Sequence, residues 1–320
     1  NDDDDDDDDE FDNNETTGTS TDHEHEHHQE IQDIIHEFEK KGDNHGSITL
    51  LPNNSLRIKK GTETIVSNYP LYEEGKWWVQ DVSSTLPAIG LISAFQQRFH
   101  DSHDNVSGSS GSDYSNYFGQ LHIVDMCAAP GGKTSQLLAA GFGKVTAIEV
   151  NKRRSRRLKE NLDRLKLRDR CKVVVSDGQD WVPAQDENEN KVAGILLDVP
   201  CSATGTGNRR PDVLQKDTDD LESLLEIQKN LANHCVDNCL SKGGIMVYAT
   251  CSLLKSESEE QVMRLVQRGG VEILPFTRGE IPGFDGAIDD NGFLRVLPGV
   301  LGGELNYCDG FFAARLIKMI

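Results

Sequence analysis

The most informative stretch of this sequence is Leu121-His122-Ile123-Val124-Asp125-Met126-Cys127-Ala128-Ala129-Pro130-Gly131-Gly132-Lys133-Thr134. It predicts a short apolar strand over Leu121–Met126, a loop of small residues, and a helix over Lys133–Ala140. Such a loop lets backbone N–H groups at a helix start approach a ligand closely. A triphosphate-binding P-loop would need glycine where Cys127 stands, and the G-x-G-x-x-G dinucleotide pattern also fails. The loop therefore indicates a nucleotide-like site without a triphosphate cradle.

Strands and helices alternate on the carboxyl side of this loop. The predicted strands are Lys144–Val150, Cys171–Val175, Val192–Asp198, Gly244–Ala249 and Phe311–Ile317. The predicted helices between them are Asn151–Leu167, Asp217–Leu240 and Glu257–Gln267. This alternation implies right-handed crossovers and an α/β fold with a mostly parallel, doubly wound sheet. In such sheets the ligand lies beyond the carboxyl ends of the strands.

Two acidic residues stand at consecutive strand ends beside the loop. Glu149 ends the second strand, about 20 residues after the glycines, where an acid can hydrogen-bond both ribose hydroxyls of an adenosine-containing ligand. Asp177 follows the third strand in a Ser176-Asp177-Gly178 turn, placed to reach the adenine. Either acid alone is more often a helix cap or a turn former. As a pair they predict a small adenosine cofactor.

The cysteines indicate free thiols and point to a second kind of chemistry. There are seven, an odd number without short disulfide-type spacings, so we expect reduced thiols in an intracellular compartment. Cys201 and Cys251 each stand in an x-Cys-Ser turn just past a predicted strand. We expect both thiols in the cofactor crevice, with a lowered pKa that makes thiolate available. The cysteines predicted to be core residues are Cys171, Cys235 and Cys239.

The acidic excess of the chain is concentrated at its N-terminal end. Residues 1–43 hold 19 of the 54 acidic side chains and 2 of the 33 basic ones. The net charge of −21 therefore describes a tail and does not exclude a nucleic-acid partner. No apolar run approaches the roughly 18–20 residues that span a bilayer, so we do not expect a membrane protein. The sequence begins with Asn1, and we expect a preceding segment, with any targeting peptide, to lie outside it.

The pattern along the chain predicts three regions. Residues 1–30 are of low complexity and are expected to be a disordered acidic tail, whose His/Glu run is not expected to bind a metal. Residues 31–76 predict a small N-terminal α+β subdomain, and 77–320 the main domain, with a flexible surface insertion at 100–117. The elements expected in the small subdomain are a helix over Ile31–Phe38 and strands at Ser47–Leu51, Leu56–Ile58 and Thr64–Val66.

From Trp77 to Lys318 the chain resembles the RsmB/NOP family of RNA cytosine-5 methyltransferases, which use S-adenosylmethionine. The resemblance is closest to the bacterial RsmB branch, which acts on small-subunit ribosomal RNA. It implies a Rossmann-like class I S-adenosylmethionine methyltransferase fold with an antiparallel last strand, and makes 31–76 part of an RNA-binding-like subdomain. The segments that carry it, in the family's order, are Val79–Ser83, Cys127–Lys133, Leu197–Ser202, Tyr248–Ser252 and Asp309–Phe312.

The resemblance also implies a role for each site residue. Cys251 would supply the attacking thiolate, which adds to carbon 6 of cytosine, and Cys201 would support release of the product. Asp198 would hydrogen-bond the cytosine ring near the methyl donor. The residues that would hold the cofactor are Cys127, Ala128, Ala129, Pro130, Gly131, Gly132, Lys133, Glu149, Asp177 and Asp198.

Access to the base requires an unpaired or flipped cytosine, and basic residues are available to hold RNA. Arg209 and Arg210, in the loop after Cys201, are predicted phosphate contacts, with a solvated loop as the alternative. Residues 152–170 contain ten Lys or Arg and three Asp or Glu. Such a helix is usually a solvated outer face, and here it is also a place where RNA, or the acidic tail, could dock.

The favoured interpretation is a monomeric, metal-free S-adenosylmethionine-dependent enzyme that forms 5-methylcytosine in RNA, first of all ribosomal RNA. A transfer-RNA substrate is one alternative. A ribosome-biogenesis factor that binds RNA without turnover is another. The acidic tail and the insertion at 100–117 depart from the bacterial pattern and favour a eukaryotic source. We therefore leave the cytoplasm, the nucleolus and an organelle open as the location.

Overall fold

The computed structural model describes residues 20–41, 47–59, 62–103, 111–184, 192–215 and 220–320. The strands in these ranges are β1 (Ile48–Leu50), β2 (Leu56–Ile58), β3 (His122–Met126), β4 (Lys144–Ile148), β5 (Cys171–Val174), β6 (Val192–Asp198), β7 (Leu240–Thr250), β8 (Val271–Ile273), β9 (Leu294–Val296) and β10 (Phe311–Lys318). The α-helices are α1 (Ser20–Lys40), α2 (Val82–His103), α3 (Gly111–Gln120), α4 (Gly132–Ala139), α5 (Lys152–Arg164), α6 (Leu221–His234) and α7 (Glu259–Arg268).

One sheet dominates the described part of the chain. Its order is β5-β4-β3-β6-β7-β10-β8, and β9 pairs with the first three residues of β10, Phe311–Ala313. The pairs from β5 to β7 are parallel, whereas β10 runs antiparallel to β7, β8 and β9. The predicted α/β fold with a mostly parallel sheet and an antiparallel last strand is confirmed. β1 and β2 form a separate antiparallel hairpin.

Apolar side chains fill both faces of the sheet, as the continuous apolar run of β6 requires. Leu196 packs into a cluster that includes Leu137 of α4 and Leu158 of α5. Its neighbours Ile195 and Leu197 point to the opposite face, into the cluster that holds the buried side of α6 and α7. Burial of each such side chain contributes about 1.5–3 kcal/mol, so the two layers fix the sheet and the edge at which its parallel strands end.

At the N-terminal end, α1 begins at Ser20 rather than Ile31, so the structure has helix over 20–30 where the sequence indicates disorder. Glutamate and glutamine favour helix, and once a helix is anchored it extends one residue at a time. The anchor is Phe38, whose ring lies 5.9 Å from that of Trp77. The rest of the predicted tail, 1–19, lies outside the described residues.

The third small strand, predicted at Thr64–Val66, is absent from this described stretch. The backbone N–H groups of Thr64 and Ile65 both donate to the carboxylate of Glu63, at 2.7 Å each. A short 3₁₀ turn, Val66–Asn68, follows. A carboxylate that captures two successive N–H groups removes the donors that a strand ladder needs, and this explains the difference.

The predicted flexible insertion at 100–117 is helical at both ends, because α2 extends to His103 and α3 begins at Gly111. Phe118 is fully buried, and its ring stacks on those of Tyr114 at 4.5 Å and Phe142 at 4.6 Å. Tyr114, Tyr117 and Phe118 have the i, i+3, i+4 spacing of a helix face, a signal that the polar composition of the segment conceals. Residues 104–110 of the insertion lie outside the described ranges.

The long helix predicted over Asp217–Leu240 is shorter in the structure. α6 ends at His234, a π-helical turn covers Cys235–Cys239, and β7 begins directly at Leu240. The Lys318 ammonium donates to the carbonyls of Val236 and Leu240, at 2.6 and 2.8 Å, and so satisfies acceptors that the end of a helix leaves free. Cys235 and Cys239 are buried, as is Cys171, in agreement with their prediction as core residues.

Candidate active site

The loop after β3 turns sharply at the carboxyl edge of the sheet. The Ala128 N–H donates to the carbonyl of Ile148 at 2.9 Å, and the Gly131 N–H to that of Ala128 at 2.9 Å. Gly131 has a φ of +105°, and a Cβ there would lie 2.5 Å from Leu158 Cδ1 of α5. Glycine is therefore required by the turn and by close helix packing. The loop is held against both β4 and α5.

Asp125, the penultimate residue of β3, is buried beneath this loop. Its Oδ2 accepts a hydrogen bond from the Thr134 hydroxyl, whereas its Oδ1 has no hydrogen-bond partner. Burial raises the pKa of Asp125 to about 7, although the Thr134 bond and the nearby Lys133 ammonium favour ionisation. Asp125 was not among the predicted site residues. The signal that could have identified it is a carboxylate at the end of an otherwise apolar strand.

Glu149 follows β4 and is almost completely buried, with 1% of its surface exposed. Its Oε1 accepts the Asn151 N–H at 2.8 Å, and its Oε2 forms no hydrogen bond. The nearest cation to Oε2 is the Arg154 guanidinium, 3.5 Å away. Asp177 differs, because it is exposed and accepts the Gln179 N–H of its own turn at 2.9 Å.

These contacts test whether the site fits an adenosine-type cofactor. Asp125 Oδ1 and Glu149 Oε2 are buried acceptors without donors, at the ends of neighbouring parallel strands. Leaving such atoms unpaired costs about 1–3 kcal/mol each. Hydroxyl and amino groups of a bound ligand would satisfy them. The residues therefore fit a ligand with ribose hydroxyls, and Glu149 is the best placed of the predicted cofactor residues to accept them.

Lys133 and Asp198 join the cofactor loop to the end of β6. The Lys133 ammonium lies 2.7 Å from Asp198 Oδ2 and 5.6 Å from the centre of the Phe311 ring. Burial alone would lower the pKa of Lys133, but the charge and hydrogen bond of Asp198 raise it above its usual value. Lys133 is thus held as a cation against a half-exposed carboxylate. Both residues were predicted for the site, and the structure brings them together.

The two predicted thiols also meet. Cys201 Sγ lies 3.4 Å from Cys251 Sγ, within hydrogen-bond distance for sulfur. The hydrogen bond from Cys251 lowers the pKa of Cys201, which also accepts bonds from the Thr250 side chain and the Ala203 N–H. The same bond between the thiols, together with burial, raises the pKa of Cys251. The expected lowering of the thiol pKa is therefore found at Cys201 and not at Cys251.

Below the thiols, a buried network centred on Glu257 joins the two cysteine loops. Glu257 Oε1 accepts the Ser202 N–H and the Gln228 side-chain amide, each at 2.9 Å, and Oε2 accepts the Ser202 hydroxyl. The Ser202 hydroxyl is in turn 3.1 Å from that of Ser252. Each serine is the residue directly after a site cysteine, so the network sets the relative position of the thiols. The sequence pattern presented Glu257 only as a helix start.

Two glycines fasten the loop after Cys201 to the Asp309–Phe312 segment. The Gly205 N–H donates to the carbonyl of Cys251 at 2.9 Å, and the Gly310 N–H to that of Gly205 at 2.8 Å. A Cβ on Gly205 would lie 2.3 Å from the Gly310 carbonyl oxygen, so this contact excludes larger residues. The carbonyl of Cys251 is therefore fixed by the loop that carries Cys201.

Arg209 and Arg210 have different environments. Arg209 Nε and Nη2 both contact Oδ2 of the nearly buried Asp309, at 2.7 and 2.6 Å, and this bond raises the pKa of Arg209. Arg210 is exposed and pairs with the exposed Asp212 at 3.0 Å. Phosphate binding by either arginine stays a prediction.

Cys127, predicted for the cofactor loop, has its pKa raised by burial and so remains a thiol.

Comparison with known proteins places this arrangement in a family. A family model described as 16S rRNA methyltransferase RsmB/F matches residues 118–317, which include β3 to β10, the cofactor loop and both thiols. The chain belongs to the RsmB/F family. S-adenosylmethionine is the cofactor of RsmB/F methyltransferases, as the resemblance in sequence indicated.

Curated RsmB/F relatives match the same part of the chain. The ribosomal RNA small subunit methyltransferase B of Serratia proteamaculans is 39% identical over 201 residues, which are 62% of this chain and 42% of that protein. The protein of the same name from Citrobacter koseri is 40% identical over 199 residues, 61% of this chain and 42% of that protein. The chain thus spans about two fifths of the length of these relatives.

Solved structures support the RsmB/F fold. A methyltransferase homologue of Pyrococcus horikoshii has a TM-score of 0.62 at 24% identity, with 90% of this chain and 83% of that chain covered. NSun6 of the same organism, determined with the S-adenosylmethionine analogue SFG, has a TM-score of 0.58 at 23% identity, with 83% and 60% covered. At these identities the likeness concerns the fold, and the predicted class I methyltransferase fold is confirmed.

None of the helices in the described ranges has the length and apolar composition needed to cross a bilayer. In the same ranges, no group of three or more His, Cys, Asp or Glu side chains is arranged to hold a metal ion.

Proposed function

We propose that this protein methylates carbon 5 of cytosine in RNA, through a covalent adduct between Cys251 and carbon 6 of the base. The observation that carries the proposal is the approach of two thiols, Cys201 and Cys251, to 3.4 Å beside the Lys133–Asp198 pair. A binding module has no need of two adjacent thiols at strand ends. A nucleophilic enzyme needs one thiol to attack and a second group to move a proton.

The chemistry explains why a thiol is needed. Carbon 5 of cytosine is a weak nucleophile, and addition of a thiolate at carbon 6 turns the ring into an enamine whose carbon 5 is reactive. S-adenosylmethionine, when bound, supplies the methyl group as an electrophilic sulfonium. After transfer, loss of the carbon 5 proton and elimination of the Cys251 thiolate restore the carbon 5–carbon 6 double bond and free the RNA.

The pair of thiols is suited to move the required protons. The hydrogen bond between the two thiols lowers the pKa of Cys201 and raises that of Cys251, so we take Cys201 as the base of the pair. Cys201 then takes the proton of Cys251 as Cys251 bonds to carbon 6. Once that proton has passed to solvent, Cys201 is a base next to the adduct and removes the proton from carbon 5. In this order Cys201 assists the deprotonation of Cys251, for which solvent can substitute, and it is required for release.

Asp198 and Lys133 would act on the cytosine ring. Addition at carbon 6 places negative charge on the ring, which a hydrogen-bond donor or a neighbouring cation stabilises. Lys133 supplies the cation, and Asp198 is placed to accept from the exocyclic amino group while Lys133 holds it. On the cofactor side, Glu149 would accept the ribose hydroxyls and the loop 127–133 would enclose the ligand.

The RNA class is proposed from the relatives. The matched curated proteins are named ribosomal RNA small subunit methyltransferase B, so we propose small-subunit ribosomal RNA as the substrate. The target cytosine must be unpaired or flipped out of a stack to reach the thiols, which stand past the ends of β6 and β7.

Release of tritium tests the reaction. Small-subunit ribosomal RNA labelled at carbon 5 of cytosine is incubated with the protein and S-adenosylmethionine, and tritium in water is counted. We expect release by the natural chain, none above background by Cys251→Ala, and normal release by Cys239→Ala, which removes a buried thiol of the π-helical turn after α6. Full release by Cys251→Ala would refute the nucleophile.

A second measurement isolates the release step. Cys201→Ala should accumulate a protein–RNA species that survives denaturation and that the double variant Cys201→Ala/Cys251→Ala does not form. Absence of this species from Cys201→Ala, in a preparation whose unmutated form is active, would refute the release role. Binding of RNA without tritium release or adduct in any form would favour the alternative of a non-catalytic RNA-binding factor.

A further inference from the structure

The first two turns of α5 carry an exposed group of cations that the site described above does not use. This cationic surface consists of Lys152, Arg153, Arg156 and Arg157, all exposed. Among the residues that the structure describes, none of the four forms an ion pair. Arg154, between them, differs because its guanidinium contacts Glu149 and the Ala129 carbonyl.

The charges of this surface oppose helix formation. The N-terminal end of a helix has a partial positive charge, which disfavours cations there. Lys152 and Arg156, and likewise Arg153 and Arg157, stand four residues apart, where like charges repel each other. Asn151 caps the helix by accepting the N–H groups of Arg153 and Arg154, a role that arginine side chains, which only donate hydrogen bonds, cannot take.

Packing does not explain the cations either. The buried side of α5 is made by Ser155, Leu158 and Leu162, and the four cations extend away from it. Four charges placed against the dipole and against each other lower the stability of the fold. Residues that oppose the stability of their own helix in this way are expected where a function requires them. The ligand that offsets them must be anionic, with charges repeated along its length.

The location of the surface indicates which polyanion it holds. α5 lies directly on the cofactor loop, since Asn161 Nδ2 donates to the Pro130 carbonyl at 2.9 Å and Arg154 Nη2 to the Ala129 carbonyl at 2.7 Å. A polyanion on the first turns of α5 therefore lies beside the cleft where the base must enter. The planar guanidinium groups of Arg153, Arg156 and Arg157 match phosphate geometry.

We propose that the cationic surface of α5 binds backbone phosphates of the substrate RNA next to the cofactor loop. This inference rests on the proposed function, because it takes RNA as the substrate. The acidic N-terminal stretch of the same chain, with eight consecutive aspartates from Asp2 to Asp9, is the competing anion, and the test separates the two.

The test is the salt dependence of RNA binding, measured without S-adenosylmethionine by fluorescence anisotropy of a labelled single-stranded RNA. For Arg156→Ala/Arg157→Ala in the full chain we expect Kd to rise about tenfold at 100 mM salt. We also expect the slope of log K against log salt to become shallower by about 1.4, since each phosphate contact contributes about 0.7 on single strands. The matched control is Lys242→Ala/Arg278→Ala, which removes two exposed cations elsewhere and should leave the slope unchanged.

Loss of folding cannot produce the expected result. Removal of the arginines relieves repulsion, so the thermal midpoint of Arg156→Ala/Arg157→Ala should equal or exceed that of the unmutated chain. An unchanged Kd and slope would overturn the proposal. The proposal would also be overturned if a peptide of residues 1–12 bound the natural chain but not the variant, while the variant kept its affinity for RNA. That result would assign the surface to the acidic tail.

The outcome is separable from that of the methylation assay. A shallower slope in a protein that releases no tritium would keep the RNA surface and reject the reaction. Normal tritium release with an unchanged slope would keep the reaction and reject the surface. With both in place, the variant should raise the KM for RNA and retain kcat.

Discussion

The two halves of the sheet's carboxyl edge satisfy their buried polar groups differently. In the cofactor half, at the ends of β3 and β4, Asp125 Oδ1 and Glu149 Oε2 are buried without a hydrogen-bond partner. In the thiol half, past β6 and β7, both carboxylate oxygens of Glu257 are bound, and only Gln228 Oε1 of that network lacks a partner. The first half needs a ligand to complete it. The second is preorganised before any ligand arrives.

The largest effect should come from removing the centre of the thiol half. Glu257→Gln replaces one carboxylate oxygen with an amino group. That group must face either the Ser202 N–H and the Gln228 amide, which now donate to Oε1, or the Ser202 hydroxyl, which now donates to Oε2. We expect kcat for methylation to fall about 100-fold, since a displacement of 1 Å in a catalytic group has that consequence, with KM for RNA and S-adenosylmethionine nearly unchanged. Steady-state kinetics measure both, and Glu260→Gln, an exposed neighbour on α7, is the control.

A positioning role has a signature that general loss of stability does not have. Glu257→Asp should restore part of kcat, and Glu257→Gln in the Cys201→Ala background should form the covalent RNA adduct more slowly, although at the same final yield. A parallel rise in both KM values, or a Glu257→Asp variant no better than Glu257→Gln, would show that the thiol half is not preorganised by this carboxylate.

The next effect concerns the cofactor half and depends on pH. Because burial raises the pKa of Asp125 to about 7, the folded protein holds a proton that the unfolded chain has lost above its usual carboxyl pKa. Stability should therefore fall as pH rises from about 4 to about 7. Asp125→Asn keeps an acceptor for Thr134 and removes the titration. Between pH 5 and pH 8 the natural chain should therefore lose about 3 kcal/mol more stability than Asp125→Asn. Thermal unfolding without cofactor measures this difference.

The same experiment has an internal check. Asp180→Asn, at an exposed position, should follow the natural chain at every pH. If the thermal midpoint of the natural chain has the same pH dependence as that of Asp125→Asn, the pKa of Asp125 is not raised in the folded protein. The contrast between the two halves would then rest on Glu149 alone.

Glu149 should show a smaller effect of a different kind. Glu149→Gln keeps the shape of the side chain but replaces an acceptor for the ribose hydroxyls with a donor, so we expect KM for S-adenosylmethionine to rise about tenfold with kcat retained. Stability without cofactor should change little, because Oε2 forms no hydrogen bond and only its ion pair with Arg154, at 3.5 Å, is lost. Isothermal titration with S-adenosylhomocysteine checks the affinity, and an unchanged affinity would reject Glu149 as a cofactor contact.

Much of the fold follows from local sequence pattern. The bounds of β3 to β6 were predicted to within two residues, because these strands are apolar runs bounded by turn residues, whereas β7 begins four residues before the strand predicted at Gly244–Ala249. The errors occurred where a side chain changed the backbone, as at Glu63, or where composition concealed a helix face, as at Phe118. The helix at 20–30 was missed because this stretch of the sequence contains no apolar residue, so it has no helical periodicity, and it extends a helix that begins to be periodic only at Ile31.

The residues of the candidate site also divide into those with a local sequence signal and those without one. Cys201 and Cys251 were predicted from their turns at strand ends, whereas Asp198 and Lys133 were predicted from the family resemblance. The structure brings the two thiols together and pairs Lys133 with Asp198. Glu257 was missed because its role depends on contacts with Ser202 and Gln228 across the fold, which no local pattern encodes. The direction of the pKa change at Cys251 was wrong for a related reason, since it depends on which thiol donates to the other.

The smallest predicted effect separates Arg209 from Arg210 and extends the comparison to the edge of the thiol half. Arg209 is bound to Asp309, so Arg209→Lys should disturb the loop that carries Cys201 and lower kcat several-fold, with RNA affinity unchanged. Arg210 pairs with the exposed Asp212, and exposed pairs contribute little to stability. Arg210→Ala should therefore leave kcat and the thermal midpoint unchanged, and make the salt slope of RNA binding shallower by about 0.7 if Arg210 contacts one phosphate. A loss of kcat in Arg210→Ala, or a loss of RNA affinity in Arg209→Lys, would reverse these assignments, because Arg209 would then serve binding and Arg210 the geometry of the thiol loop.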